Sequence, residues 1–345
     1  MSPNAKQLTN TRVLVAKIPQ DVAPNKSHFR TVVLTEESPA LQNNEVLVQN
    51  IIFSLDPYIR HEFAEGQEET KVIGFAIAKV VDSKNVGFPV GALVLSPSNW
   101  ESYTHVSRPE NIAELLRIDE LASPKVPLSA YNGILGIPGY TSWDSLHSVG
   151  NPKAGETIYV SSAAGTLGQL TGQLAKRKGL RVIGSAGSDE KVAFLTKELG
   201  FDAAFNYKTE DKREALTRLA GERGLDIYYD LVGDDTVEVA LDLLNPRGRV
   251  VSVGILSLHQ NQAPPAPHNL VNILFKQLRF EGYLVFERTE NLGKFWEEVT
   301  PLVESGEIKF KETVLESGVE TLAENYLALL AGKWTGKVNV KVASL

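Results

Sequence analysis

The sequence predicts an α/β chain of two domains: one of short antiparallel strands, the other a doubly wound parallel sheet. Three observations predict it. At 345 residues the chain is long for a single core. Its early part is a series of short apolar runs punctuated by glycine and proline. From residue 157 the pattern changes to strand, glycine-rich turn, helix, strand.

The early runs are strand candidates at 12–17, 31–34, 45–53, 72–81 and 88–95, with turn-rich segments at 20–27 and 82–87. Strands this short and this regularly broken imply an antiparallel barrel or sandwich. Residues 130–150 form a Gly-rich join that turns helical near Thr141. The strand at 157–161 is β-branched or aromatic at most positions. Ala163, Gly165 and Gly168 follow as an A-x-G-x-x-G pattern. Leu167, Leu170, Leu174 and Ala175 then recur at helical spacing, and Gly179 is placed to end the helix. A second strand occupies 181–186. Val192, Leu195 and Leu199 mark the next helix, closed by Gly200. Further strands are expected at 203–207, 226–232, 249–254 and 279–286, helices at 295–303 and 323–330, and a closing strand at 337–342. Strands separated by helices imply parallel pairing.

The glycine pattern has a chemical reading. Glycines let the backbone approach a pyrophosphate, and the helix start offers unpaired N–H groups and a partial positive charge. A tight turn with close helix–strand packing is the alternative for the pattern taken alone. An NAD enzyme places an acid at the tip of the second strand to meet the adenosine ribose. Here the tip is Ala186-Gly187-Ser188, and Asp189 and Glu190 open a helix that Ser188 is placed to cap. Lys191, in that first turn, suits a 2′-phosphate. The missing acid and the cation together favour NADPH.

Composition narrows the classes. A net charge of −7 argues against nucleic acid and anionic membrane as partners. No apolar run is long enough for a membrane span, residues 1–20 lack a signal-peptide pattern, and the last three residues are not a peroxisomal address, so a cytoplasmic protein is expected. The chain has no cysteine, which excludes disulfides, thiol nucleophiles and cysteine-held zinc. Its six histidines are scattered, so no metal site is expected.

The motifs Ala163-Ala164-Gly165-Thr166-Leu167-Gly168, Gly187-Ser188-Asp189-Glu190-Lys191 and Phe205-Asn206-Tyr207-Lys208 resemble the zinc-independent medium-chain dehydrogenase/reductases. Within them the likeness is to the alkenal/one double-bond reductases, also called the leukotriene B4 dehydrogenase or prostaglandin reductase family. It extends to Leu55-Asp56-Pro57-Tyr58-Ile59-Arg60, Gly136-Ile137-Pro138-Gly139-Tyr140-Thr141 and Gly336-Lys337-Val338, and so spans nearly the whole chain. The resemblance implies a GroES-like, partly open β-barrel catalytic domain over 1–130, completed by 305–345, and a Rossmann domain over 131–304. It implies cofactor contacts at Thr141, Gly165, Thr166, Leu167, Gly168, Gly187, Ser188, Lys191, Tyr207, Val253, Gly254, Leu284 and Val285, and a homodimer.

The implied reaction is NADPH-dependent reduction of a carbon–carbon double bond conjugated to a carbonyl, with small enals and enones as substrates. Hydride goes to the β-carbon and negative charge develops on the carbonyl oxygen, which needs a hydrogen-bond donor. Tyr58 is the implied donor. A half-buried barrel tyrosine is the bland alternative. The chain departs from its relatives in several places. Gly74-Phe75-Ala76 replaces the Gly-His-Glu of zinc enzymes, and Ser54-Leu55-Asp56 stands where they carry a ligand cysteine. Phe286 takes the place of a second active-site tyrosine, and Tyr283 is expected on the opposite strand face. Leu231 and Trp334 replace cofactor-contacting asparagines. The proline-rich loop at 257–269 is implied to flank the active-site mouth. An NADPH quinone oxidoreductase and a non-catalytic NADPH-binding protein of the same fold are the competing readings.

Overall fold

The computed structural model describes residues 7–19, 23–60, 68–259 and 266–345. The chain divides into two compact units: Met1–Asn132 with Glu312–Leu345, and Gly133–Lys311.

The first unit opens with β1 (Gln7–Val15) and β2 (Phe29–Glu37), an antiparallel pair that β4 (Thr70–Lys71) extends. Its main sheet contains β3 (Val46–Leu55), β5 (Ile73–Ser83), β6 (Leu93–Asn99), β7 (Tyr103–Val106) and β8 (Leu116–Arg117). The chain returns late to add β15 (Glu312–Glu316) and β16 (Lys337–Lys341). The order is β15-β16-β3-β5-β6-β8 with β7 on β3, so the sheet keeps two free ends and is a partly open barrel. Strand β16 is the seam: it runs antiparallel to β3 and parallel to β15. Its Val338 and Val340 alternate inward onto a core with Phe53, Leu55, Trp100 and Tyr326. The run at 88–95 is only partly strand. Gly91 turns the chain at φ +94°, and β6 begins at Leu93.

The second unit is a six-stranded sheet, all parallel, in the order β11-β10-β9-β12-β13-β14. The strands are β9 (Thr157–Val160), β10 (Arg181–Ala186), β11 (Ala203–Asn206), β12 (Leu225–Asp230), β13 (Leu244–Ser252) and β14 (Arg279–Gly282). The order reverses between β9 and β12, the place where a doubly wound sheet opens a crevice at its carboxyl ends. The strand interiors are buried runs because helices cover the sheet. Tyr159 and Tyr228 stack at 5.1 Å in this core. Their hydroxyls stay bonded, to Ser185 at 2.9 Å and to the Asp230 carboxylate at 2.8 Å.

The late strand is shorter than the apolar run at 279–286. Its partner β13 ends at Ser252, opposite Gly282, so no ladder exists beyond that point. Residues Val285–Glu287 coil into a short 3-10 turn. Strand alternation therefore does not govern Tyr283 and Phe286. Tyr283 is buried because its hydroxyl donates to Asp144 at 2.9 Å, whereas Phe286 is 52% exposed. Of the proline-rich loop, residues 260–265 lie outside the described residues, and Leu256–His259 form a short helix.

Candidate functional site

The turn after β9 is where the glycine pattern acts. Ser162 takes a left-handed conformation at φ +48°. Ala163 N–H then donates to Ser185 O at 2.9 Å, and Gly165 N–H to Ser162 O at 3.0 Å. The turn needs no glycine at 163, because Ser162 carries the unusual dihedral. It does need one at 168: a Cβ there would lie 2.5 Å from Ala163 Cα and 2.7 Å from its carbonyl oxygen. The helix Thr166–Arg177 starts at Gly165, whose side makes no cap, so its first N–H groups at Thr166, Leu167 and Gly168 are left for an anion. Ser142 donates to Leu167 O at 3.1 Å and ties this helix to Ile137–Ser145. Thr141, on that second helix, returns its own hydroxyl to Ile137 O at 2.8 Å.

The tip of β10 forms a cradle. A Cβ on Gly187 would meet the Tyr207 hydroxyl at 2.9 Å and Lys208 Cε at 3.2 Å, so the tyrosine and the lysine stem lie across the bare glycine. Ser188 caps the helix Asp189–Lys197 and accepts from Lys191 N–H at 3.3 Å. Burial, and then the neighbouring Lys208 cation, hold the Lys191 ammonium below the usual lysine range. Burial lifts the Tyr207 phenol. A lysine stem and a phenol thus lie over one glycine, and the Lys191 cation is near enough to Lys208 to feel its charge, an arrangement that suits a phosphate. No acid occupies the tip.

The ends of β12 and β13 are joined by one residue that the sequence pattern did not single out. Buried Asp230 accepts at its carboxylate from Tyr228 and from the N–H groups of Val232 and Gly233, at 2.8, 2.9 and 3.0 Å. Its carbonyl accepts from Val253 and Gly254 N–H at 2.9 and 3.1 Å. A Cβ on Gly254 would sit 2.6 Å from Leu231 O, so the two turns touch. Leu231 N–H donates to Ser161 at 2.9 Å. Val285 is buried and Leu284 is exposed, and both follow the Tyr283–Asp144 bond. Burial raises the Tyr283 phenol well above its ordinary value, and the Asp144 carboxylate adds to the shift. The glycine turn, the Gly187 cradle and the 253–254 turn all lie at carboxyl ends of parallel strands of one unit.

Tyr58 lies in the other unit, on the turn that follows β3. Ile59 N–H closes that turn on Asp56 O at 3.2 Å, and Tyr326 donates to Pro57 O at 3.3 Å. The Tyr58 ring packs against the Phe53–Trp100–Tyr326 core. Lys337, only 4% exposed, ion-pairs with Asp56 and donates to Leu55 O at 3.3 Å. Ser54 donates to the second Asp56 oxygen. Burial keeps the Lys337 ammonium below its ordinary pKa although the aspartate opposes the shift. Trp334 packs against the same core under the Lys333 ammonium, 4.4 Å from the ring centroid.

Two family models match, one described as zinc-binding dehydrogenase over residues 166–304 and one as the N-terminal domain of oxidoreductase over 11–115. The chain is 36% identical to the NADP(+)-dependent 2-alkenal reductase of Nicotiana tabacum, covering 87% of this chain and 88% of that protein. It is 37% identical to prostaglandin reductase 1 of Bos taurus, over 92% and 95%. The solved structure of CurA in complex with NADPH from Vibrio vulnificus matches with a TM-score of 0.86 at 28% identity, over 97% of this chain and all of that one. A GroES-like barrel interrupted by a Rossmann unit is the architecture of the medium-chain dehydrogenase/reductases. The chain belongs to the zinc-independent alkenal/one double-bond reductase family of that class. The zinc in the first model's description does not fit these residues. Ser54 pairs with Phe75 where metal relatives carry ligands, and no group of three His, Cys, Asp or Glu among the described residues is arranged for a metal.

Proposed function

We propose that the protein is an NADPH-dependent ene-reductase that saturates the carbon–carbon double bond of α,β-unsaturated aldehydes and ketones without zinc. Likeness along both units to NADP-dependent alkenal and prostaglandin reductases carries the reading. The residues fit the cofactor: the cradle over Gly187 is closed to a Cβ and lined by Tyr207 and Lys208, and the Lys208 charge reaches Lys191.

When bound, NADPH supplies the hydride that the β-carbon of the substrate accepts. The free N–H groups of Thr166, Leu167 and Gly168, with Gly165 as the helix entry, hold the pyrophosphate. Gly187, Ser188, Lys191 and Tyr207 hold the adenosine ribose and its phosphate. Thr141, Val253, Gly254, Leu284 and Val285 hold and orient the nicotinamide half. Tyr58 donates a hydrogen bond to the substrate carbonyl oxygen, where negative charge gathers. The Lys337–Asp56 pair and Tyr326 keep its turn in one conformation. Phe286 brings no hydroxyl, so Tyr58 is the donor assigned to that oxygen.

The protein is further proposed to act in the cytoplasm as a homodimer. Among the described residues no helix is long and apolar enough to cross a membrane. Strand β14 is a sheet edge, with Phe280 at 44% and Phe275 at 76% exposure around it, and a second copy of the edge would cover them. Light scattering on the purified chain tests this, with Phe280→Lys expected to give monomers.

The deciding assay mixes the protein with NADPH and 2-nonenal and identifies the product. The saturated aldehyde is expected. The allylic alcohol would mean carbonyl reduction and overturn the reading. Turnover of simple quinones alone would replace it with quinone reduction.

A further inference from the structure

Resting on the NADPH reading above, we infer that Asn206 sets the preference for a 2′-phosphorylated cofactor: its amide nitrogen holds the Asp189 carboxylate, and its amide oxygen seats Lys208 over Gly187. Asn206 is the last residue of β11 and is buried. Its Nδ2 donates to Asp189 Oδ1 at 2.8 Å. Its Oδ1 accepts from Lys208 N–H at 3.1 Å. Its carbonyl accepts from Thr209 and Glu210 N–H at 3.1 and 2.9 Å, which winds the chain after Tyr207 into a turn. That turn brings Lys208 Cε to within 3.2 Å of where a Gly187 side chain would begin.

The reason this matters is electrostatic. An acid near the tip of the second strand selects for an unphosphorylated ribose, because it accepts from the 2′-hydroxyl and repels a phosphate. This chain carries two acids just past the tip, Asp189 and Glu190. Asp189 is not left to that task. Asp189 is held on the Asn206 amide, and Glu190 pairs with Lys311 at 3.7 Å. Lys208, in contrast, pairs with no carboxylate among the described residues, and its charge already burdens Lys191. A dianion between the two lysines relieves that repulsion. One buried amide therefore withdraws a negative charge and presents a positive one. Asn206 is a positioning residue for Asp189 and Lys208, and Lys208 is a binding residue.

The test uses calorimetry on the full chain with 2′,5′-ADP and 5′-AMP, so it needs no turnover. The wild type is expected to prefer 2′,5′-ADP. Asn206→Ala is expected to weaken 2′,5′-ADP about tenfold and to leave 5′-AMP within about twofold, the scale of one charge-assisted contact. Adding Asp189→Asn to that variant is expected to recover part of the loss, a rescue that a damaged fold would not show. Lys208→Gln, on an exposed residue, is expected to reduce 2′,5′-ADP binding about five- to tenfold with 5′-AMP unchanged. Asp189→Asn alone is expected to change little, because the carboxylate is already held. The inference is overturned if Asn206→Ala weakens both ligands equally, if Asp189→Asn alone raises 2′,5′-ADP affinity severalfold, or if Lys208→Gln leaves the ratio untouched. A wild type without preference would instead remove the NADPH reading itself.

Discussion

Gly168→Ala tests the dinucleotide turn. In most helix interiors this change stabilises by ~1 kcal/mol, because glycine loses more backbone freedom than alanine. Here the new Cβ would lie 2.5, 2.7 and 2.8 Å from Ala163 Cα, O and C. Ordinary carbon contacts are about 3.5–4.0 Å, so helix and turn must separate by about 1 Å. All three obstructing atoms are backbone, and they belong to a turn that already holds Ser162 at φ +48°. A side chain cannot swing away to relieve the clash. Overpacking of this kind costs about 1–3 kcal/mol or more, which outweighs the propensity gain. The apo protein is expected to melt about 2–8 °C lower. The same displacement moves the N–H groups of Thr166 and Leu167, and NADPH affinity is expected to fall at least about tenfold. Differential scanning calorimetry of the apo protein and titration with NADPH read the two effects. Gly293→Ala is the control: it sits in the helix Leu292–Glu304 with nothing within 4 Å, and it is expected to raise the melting temperature slightly. A Gly168→Ala protein that melts at or above the wild type and binds NADPH normally would refute the close-approach argument.

Tyr58→Phe is expected to lower kcat for 2-nonenal about 10- to 100-fold, with 2′,5′-ADP affinity unchanged; equal turnover would remove Tyr58 from the reaction. Lys337→Met leaves the half-buried Asp56 carboxylate without its ammonium, and a loss of about 3 kcal/mol in chemical denaturation is expected. Unchanged stability would show that the pair contributes nothing net. For Glu156, burial pushes the carboxyl up, but the two 2.7 Å bonds from buried Arg249 and the Lys153 N–H outweigh it and leave the pKa below its ordinary 4.5. Its stability contribution is therefore complete above about pH 4.5 and is lost as the pH falls through the lower folded value. Glu156→Gln is expected to destabilise at neutral pH by about 2–4 kcal/mol and to flatten the acid limb of the melting curve; an acid limb identical to the wild type would assign the titration elsewhere.

Features that depend on local chemistry were legible in the sequence. The N-cap at Ser188 and the left-handed glycines 179 and 200 sit where helix-terminus rules put them. The parallel sheet followed from alternating strand and helix patterns. Features set by distant partners were not legible. The end of β14 at Gly282 depends on where β13 stops, which no window around 279–286 contains. Alternation placed Lys337 on a strand, but nothing in 337–342 shows its ammonium meeting a carboxylate 281 residues earlier. The left-handed residue of the dinucleotide turn is Ser162, a residue type with no left-handed preference, so the pattern drew attention to the glycines instead.

Asp230 gives the physical reason why such residues escape a sequence reading. A fully buried carboxylate in a strand whose other buried residues are Leu225, Ile227, Tyr228 and Tyr229 contradicts the apolar pattern of a buried strand; Asp226, the strand's other acid, is only partly buried. Burial indeed pushes its pKa up, and the bonds from Gly233, Val232 and Tyr228 offset only part of that. The fold tolerates the conflict because those bonds make one residue the anchor of two turns. The carboxylate shapes 231–233, and the carbonyl holds 253 and 254. An asparagine of the same shape keeps one accepting oxygen but gives up the charge that three donors converge on. The carboxyl end of a parallel sheet leaves its backbone groups unpaired, and a buried acid there converts those loose ends into one rigid frame. Val253 and Gly254, two of the residues proposed for the nicotinamide half of the cofactor, stand on that frame, so the apolar pattern of the strand is broken where its end must order two turns.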